Sequence, residues 1–120
     1  MLIKALREGH LRLINEAPVE VTIERPVRQE DGAGGFKKGE PQKIGPIKVR
    51  IVPKRAGRSS NTEAGEASTD YWVIFAPYNA DIRPKDRLTY EDMELEITRV
   101  IKRWYRGEIY AVQCEAEEVT

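Results

Sequence analysis

Hydrophobic and polar residues alternate with two different periods along the chain. Near the start, apolar and ring side chains recur every three or four positions, with charged residues between them. Those side chains are Ile3, Leu6, His10, Leu13 and Ile14. This spacing predicts a short amphipathic helix over residues 1–16. From Pro18 onward the period changes to two, which is typical of half-buried β-strands.

Six segments with the period of two are separated by proline, glycine and acidic turn residues. Their first apolar residues are Val19, Ile47, Tyr71, Leu88, Met93 and Tyr110. Short strands with turn signals between them are typical of a small antiparallel barrel or sandwich. The sequence therefore predicts a mainly all-β single domain over 1–120. We expect a six-strand antiparallel β-barrel in 18–118, with extended loops at 27–46 and 56–69.

Two of the predicted strands have unusual patterns. Residues Tyr71 to Ala76 are apolar on both faces, so this strand is expected either to be central in a closed barrel or to have one face covered by a neighbouring subunit. In the fifth strand the alternation shifts at Arg99, where Val100 and Ile101 are adjacent. Such a shift indicates a β-bulge.

The segment Ala56 to Thr69 lacks side chains large enough to pack in a core. Eleven of its fourteen residues are Gly, Ala, Ser, Thr or Asn, and the other three are Arg58, Glu63 and Glu66. This composition predicts a mobile loop. Doubled back as a hairpin, the loop reaches about 20 Å from the body of the protein, which is far enough to occupy a channel.

Composition and charge exclude several classes of protein. With 40% hydrophobic and 33% charged residues the chain has a globular composition, and its longest apolar run is far shorter than the ~20 residues that span a bilayer. Cys114 is the single cysteine, so an internal disulfide is impossible. We therefore predict no membrane partner.

Chemistry-bearing residues are sparse, which argues against an enzyme. His10 is the single histidine and lies on the apolar face of the predicted helix, where a structural role is expected. Cys114 is expected to be a small core residue on the last strand, and tetrahedral zinc lacks the ligands it needs. The sequence thus predicts no catalytic residue, no metal and no cofactor.

The net charge is zero, but its distribution is uneven. Residues 1–60 carry 13 Lys/Arg and 7 Asp/Glu, whereas residues 61–120 carry 7 and 13. Blocks of opposite charge can meet across a subunit contact, and the basic block can also meet a polyanion. An alternative function is therefore an oligonucleotide-binding barrel, with Trp72, Phe75 and Trp104 as stacking candidates.

The stretch from Tyr71 to Cys114 resembles the head-closure family of tailed bacteriophages, also called stopper or head–tail joining proteins. The resemblance rests on Ala80-Asp81-Ile82-Arg83-Pro84-Lys85-Asp86-Arg87-Leu88 and on two alternating strands after it, Met93–Val100 and Ile109–Glu115. Upstream, Ile23-Glu24-Arg25-Pro26 ends a strand in the same order as in the family. The chain has Lys85, Glu91 and Asp92 at turns where the family tends to have glycine.

The resemblance implies a structural protein of the virion neck that is assembled in the bacterial host cytoplasm. It implies a ring, expected to be dodecameric, that closes the DNA channel below the portal or adaptor and offers a platform to a tail-terminator or tail protein. A tail-completion or tail-terminator protein of the same neck is the alternative within this class. The loop between the second and third strands would line the channel and touch double-stranded DNA transiently. Residues 56–69 occupy that position, and the gating candidates within them are Arg58, Ser59, Asn61, Glu63 and Glu66.

A ring of identical subunits needs two different complementary patches, and the unevenly charged halves could provide them. The candidate residues for this contact are Lys37, Lys38, Lys43, Trp72, Glu94 and Glu96.

This hypothesis predicts that ring assembly weakens as the salt concentration rises, because salt screens contacts between exposed charges. Reversing the charge of Lys37, Lys38 and Lys43 should impair docking and leave the monomer folded. Sedimentation over a series of salt concentrations checks the first expectation, and circular dichroism of the reversed variant checks its fold. Assembly that is indifferent to salt would contradict the hypothesis.

Overall fold

In a computed structural model that describes residues 2–30, 36–54 and 71–119, one helix precedes eight strands. The helix α1 spans Leu2–Asn15, close to the predicted 1–16. The strands are β1 (Val19–Arg25), β2 (Arg28–Glu30), β3 (Phe36–Lys38), β4 (Gln42–Lys54), β5 (Tyr71–Ala76), β6 (Arg87–Tyr90), β7 (Met93–Tyr105) and β8 (Glu108–Glu118). No helix among the described residues is long and apolar enough to traverse a bilayer.

Six of the strands form a closed antiparallel barrel in the order β1-β4-β5-β8-β7-β6, which confirms the predicted fold class. Alternate residues of every strand point inward and exclude water. The innermost side chains are mostly aliphatic, including Ile23, Val49, Ile74, Leu95 and Ile97. The remaining residues of each strand face outward. The apolar residues that recur with a period of two in the sequence are therefore the ones that line the interior.

The helix α1 covers the outer face of β5. His10 donates a hydrogen bond from Nε2 to the carbonyl oxygen of Ala76 at 2.7 Å, and its ring meets Phe75 edge to face. On the two flanking strands, Arg50 of β4 donates to the carbonyl oxygen of Leu13, and Arg7 of the helix donates to that of Ile109 in β8. The apolar outer face of β5 is therefore covered by this chain's own helix, and the strand is central in the barrel, which was the first of the two expectations. The structural role predicted for His10 follows from the same contacts.

The predicted loop 27–46 contains more regular structure than expected. A two-stranded hairpin, β2 and β3, lies within it, and β4 begins at Gln42, five residues before the predicted strand start at Ile47. The extension passes through a bulge opposite Val21 and Ile23, where Gly45 has a φ of 119°. A Cβ at Gly45 would lie 3.1 Å from the carbonyl oxygen of Val21, so the close approach of the strands requires glycine.

The shift in alternation at Arg99 is a bulge, as predicted, since the register of β7 against β8 changes between Ile97 and Arg99. Among the described residues, four non-glycine turn residues occupy the left-handed region: Lys85 (φ 78°), Glu91 (φ 48°), Asp92 (φ 66°) and Arg106 (φ 51°). The resemblance to the head-closure family implies one glycine at Lys85 and one within the turn Glu91-Asp92. A side chain with a Cβ in this region costs about 1–2 kcal/mol for each residue.

The predicted loop 56–69 lies outside the described residues, but its attachment to the barrel is described. Lys54, the last residue of β4, pairs with Tyr71, the first residue of β5. The two residues that flank the segment 55–70 are therefore adjacent on the barrel.

Cys114 lies on β8, is fully buried and has a pKa raised to about 12 by burial, with a smaller contribution from the charge of Asp86. At pH 8 a pKa of about 12 leaves roughly one thiolate in ten thousand molecules, and the thiolate is the reactive form. We predict that iodoacetamide labels Cys114 at pH 8 only as fast as the barrel opens. Mass spectrometry of the intact protein over time measures this rate.

The control is a Trp104→Cys, Cys114→Ala variant, whose thiol lies at an exposed position. It should be labelled at the rate of a free thiol. Labelling of native Cys114 at the same rate as this control would contradict the buried position.

Candidate functional site

The junction between β1 and β6 closes the barrel, and its backbone pairing is minimal. A single residue pair, Glu24 with Arg87, joins the two strands, whereas β7 and β8 pair along ten positions. Side chains from beside this junction supply further contacts. Arg25, at the end of β1, reaches the loop before β6 and donates to Asp86 twice, from Nε to Oδ1 at 3.0 Å and from Nη2 to Oδ2 at 2.9 Å.

Asp86 is only 1% exposed, and the donors around it compensate for the loss of water. Besides Arg25, the backbone N–H of Arg83 donates to Asp86 Oδ2 at 2.8 Å. The backbone of Asp86 also continues the sheet, because its carbonyl oxygen accepts from the N–H of Ile97 at 2.8 Å. A carboxylate buried with a bidentate arginine and a backbone donor is a satisfied ion pair that fixes the loop to both neighbouring strands.

Asp81 extends this network toward solvent. Arg25 donates to its carboxylate at 3.2 Å and to its carbonyl oxygen at 3.1 Å, and Arg83 donates to the other carboxylate oxygen. The Arg25 hydrogen bond holds the pKa of Asp81 below its usual value, and the Asp86 hydrogen bond raises the pKa of Arg25. The two stretches that carry the family resemblance, one around Arg25 and one from Asp81 to Asp86, are therefore in contact across the junction.

A row of charged side chains crosses the outer face of the barrel at this junction. Residues in register on neighbouring strands are Lys43, Glu24, Arg87, Glu96 and Glu117. Arg87 donates to Glu94 at 3.0 Å and to Glu96 at 3.1 Å. An open cleft of about 380 Å³ lies beside the row, lined by these glutamates, Arg87 and Lys85 together with Glu24, Pro26, Gly39 and Pro41. The arrangement suits the recognition of a charged protein surface.

The structure places part of the predicted ring contact on this face. Lys43, Glu94 and Glu96 all lie near the junction, and each has an oppositely charged neighbour within the chain. Lys37 and Lys38 belong to β3, but their side chains lie outside the described residues. Trp72 is elsewhere: its side chain packs against the core and meets Tyr90 edge to face at 5.9 Å.

The predicted gating residues Arg58, Ser59, Asn61, Glu63 and Glu66 lie outside the described residues. The ends of their segment, Lys54 and Tyr71, lie at one end of the barrel. The turn Glu91-Asp92 and the end of β8 are at that same end, since Trp72 pairs with Ala116 and contacts Tyr90.

The aromatic residues proposed for base stacking do not form one platform. Trp72 faces the barrel core, and Phe75 lies on the opposite face of β5 against His10. Only Trp104 is strongly exposed, at 59%. The oligonucleotide-binding alternative therefore loses two of its three stacking residues.

One feature that the sequence reasoning did not identify is the far end of the β7–β8 hairpin. Beyond the barrel the two strands pair only with each other, up to the turn Arg106-Gly107. Lys102, Arg103 and Arg106 are exposed there beside Trp104. The signal that could have revealed it is the concentration of cations around one tryptophan next to a predicted hairpin turn.

A protein-family model matches most of the chain. The family model described as phage head completion protein matches residues 15–117. This range begins at the end of α1 and includes the whole barrel. No curated protein sequence is significantly similar to the chain.

The solved structures that are similar to the chain include the following two. A chain in the virion of a native gene transfer agent particle shares 26% identity with a TM-score of 0.51, over 85% of this chain and 96% of that one. The xkdH protein of the phage-like element PBSX from Bacillus subtilis shares 12% identity with a TM-score of 0.51, over 84% and 93% of the two chains. The second likeness concerns the fold alone.

Replacing Arg25 with alanine should strongly destabilise the barrel, because Asp86 would stay buried without its cation. Breaking a buried ion pair from one side costs about 3–5 kcal/mol. The free energy of unfolding from urea titration at pH 7 measures the loss.

Arg83→Ala is the matched control, since Arg83 is 64% exposed and its ion pair with Asp81 lies at the surface. Its loss should cost less than about 1 kcal/mol. Equal losses for the two variants would show that the buried pair does not hold the junction.

Proposed function

The chain belongs to the phage head completion protein family, and from this premise we propose that it is the ring-forming head-closure (stopper) subunit of a virion neck. The family is structural, so the protein is a component of a phage or gene-transfer-agent particle and not an enzyme. In the proposal its ring, expected to be dodecameric, seals the DNA channel below the portal or adaptor. The opposite side of the ring then offers a docking platform to the tail.

The observation that carries the proposal beyond the family is the attachment of the segment 55–70. Its ends are paired in register at one end of a closed barrel, at Lys54 and Tyr71. A closed barrel gives a firm base, because all of its strands are hydrogen-bonded on both sides. A segment of sixteen residues on such a base can cross part of a channel while the barrel stays in the ring wall.

The composition of the segment supports a gate that releases DNA. Its central part, 56–69, has one basic and two acidic residues among small side chains. Affinity for duplex DNA comes mainly from cations that contact phosphates. Glu63 and Glu66 would repel phosphate weakly, so the gate closes the channel by occupying space and does not hold the DNA as it passes.

The charged row at the β1–β6 junction remains a proposed contact with a neighbouring subunit or ring. Lys43, Glu94 and Glu96 are near one another there, and Lys37 and Lys38 are close in sequence to Lys43. In the proposal, the protein assembles in the cytoplasm of the bacterial host with the portal or adaptor above it and a tail-terminator or tail protein below it.

Shortening the gate should allow packaged DNA to escape. We predict that particles assembled with a variant in which two glycines replace residues 57–68 contain the protein but lose most of their nuclease-protected DNA. The barrel should remain folded, because the ends of the segment are already adjacent. Quantitative PCR of nuclease-treated particles measures retained DNA, and immunoblotting measures incorporation.

A variant with the same residues replaced by twelve glycines and serines is the control for length. It should retain DNA, because closure by occupied space depends on length more than on sequence. If the shortened variant is incorporated and retains as much DNA as the natural chain, the gating role is wrong and the family role stands.

A further inference from the structure

The β7–β8 hairpin has opposite charges at its two ends. At the end that projects from the barrel are Lys102, Arg103, Trp104 and Arg106, which we name the basic tip. At the other end are the exposed carboxylates Glu91, Asp92, Glu117 and Glu118, which we name the acidic end. Along the hairpin the two surfaces are about 20 Å apart at their nearest residues, Glu117 and Lys102, and about 40 Å apart at their outer ends.

These two surfaces are clusters of charged side chains that have no ion pair within the described part of the chain. Arg25, Arg50 and Arg87 each form an ion pair with a glutamate or aspartate of the same chain. By contrast, none of the seven charged residues of the basic tip and acidic end forms an ion pair with another side chain that the structure describes. Glu117 of the acidic end lies directly opposite Glu96, and like charges in register repel, although Arg87 already donates to Glu96. A cationic partner would relieve the repulsion that remains.

The basic tip also has the composition of a binding surface. Trp104 is 59% exposed, more than any other large hydrophobic side chain that the structure describes. Tryptophan and arginine are the residues most enriched among those that dominate protein interfaces. Here the tryptophan has an arginine on one side and a second arginine two positions later.

We propose that the basic tip of one copy docks on the acidic end of the next copy, so that the β7–β8 hairpin carries the contact between subunits. Because the two surfaces differ, the contact is head-to-tail, and repetition of a head-to-tail contact forms a ring when the rotation closes. Three cations face four carboxylates, so each copy cancels the excess charge of its neighbours. The inference rests on the proposed ring and names the surfaces that form it.

Charge exchange between the two surfaces tests the proposal. The tip variant is Lys102→Glu, Arg103→Glu and Arg106→Glu, and the end variant is Glu91→Lys, Glu117→Lys and Glu118→Lys. Each alone should reduce incorporation into particles by about tenfold or more, because like charges then face each other. One chain with all six substitutions should regain incorporation. Circular dichroism confirms that each variant is folded.

The control is Lys4→Glu, which changes charge at an exposed position of α1 outside both surfaces and should leave incorporation unchanged. If the variant with all six substitutions is as defective as either triple variant, the two surfaces do not meet and the proposal is overturned. A defect of the tip variant alone, with a normal end variant, would also overturn it and would point to DNA or another neck protein as the partner of the tip.

Cross-linking in assembled particles gives an independent measurement. In a Cys114→Ala background, Arg103→Cys and Glu118→Cys together should yield a ladder of disulfide-linked oligomers on oxidation, and either cysteine alone should not. Particles that contain this variant and give no ladder would contradict the contact. Loss of DNA retention is measured separately, so failure of the gate and failure of this contact can be told apart.

Discussion

Closure of the barrel across the β1–β6 junction is the constraint on which the rest of the structure depends. One backbone pair joins these strands, and the ion pair between Arg25 and the buried Asp86 adds the contacts that the backbone lacks. The same aspartate accepts from the loop backbone and, through its own carbonyl oxygen, continues the sheet to β7. Without closure the barrel would have two open edges, and open edges pair with other chains without control. By holding the junction closed, the buried ion pair keeps both of these strands unavailable for pairing with other chains.

The sequence predicted most of the architecture because local periodicity records which side chains are buried. The helix, the six barrel strands and the bulge at Arg99 all follow from it, whereas the order of the strands around the barrel does not. The local pattern gave a wrong prediction where the same residues are compatible with two different structures. Gly45 and Pro46 indicated a loop, whereas in the structure they occupy a bulge inside β4, a place where both residue types are tolerated. For β5, periodicity could not decide what covers its outer face, because the helix that does so is distant in sequence.

The candidate site was predicted in part, since residue composition identifies charge but not its partners. The acidic and basic halves were evident, yet much of the charge is paired inside the chain, as Arg87 is with Glu94 and Glu96. Arg25 and Asp86 are 61 positions apart, so no local pattern joins them, although both lie in stretches that carried the family resemblance. Pairing also isolates the charges that have no internal partner. The charged residues at the two ends of the β7–β8 hairpin are among them, and only the three-dimensional structure distinguishes them from the paired ones.

Because Lys54 pairs directly with Tyr71, the register of the barrel strands does not depend on the length of the connection between these two residues. Each doubling of such a connection costs only about 0.6 kcal/mol in closure entropy, so its size can change while every strand keeps its register. A barrel of this design can accept connections of different length between β4 and β5 without a change elsewhere in the scaffold. For protein engineering, the position between Lys54 and Tyr71 is therefore a site at which one peptide can be exchanged for another.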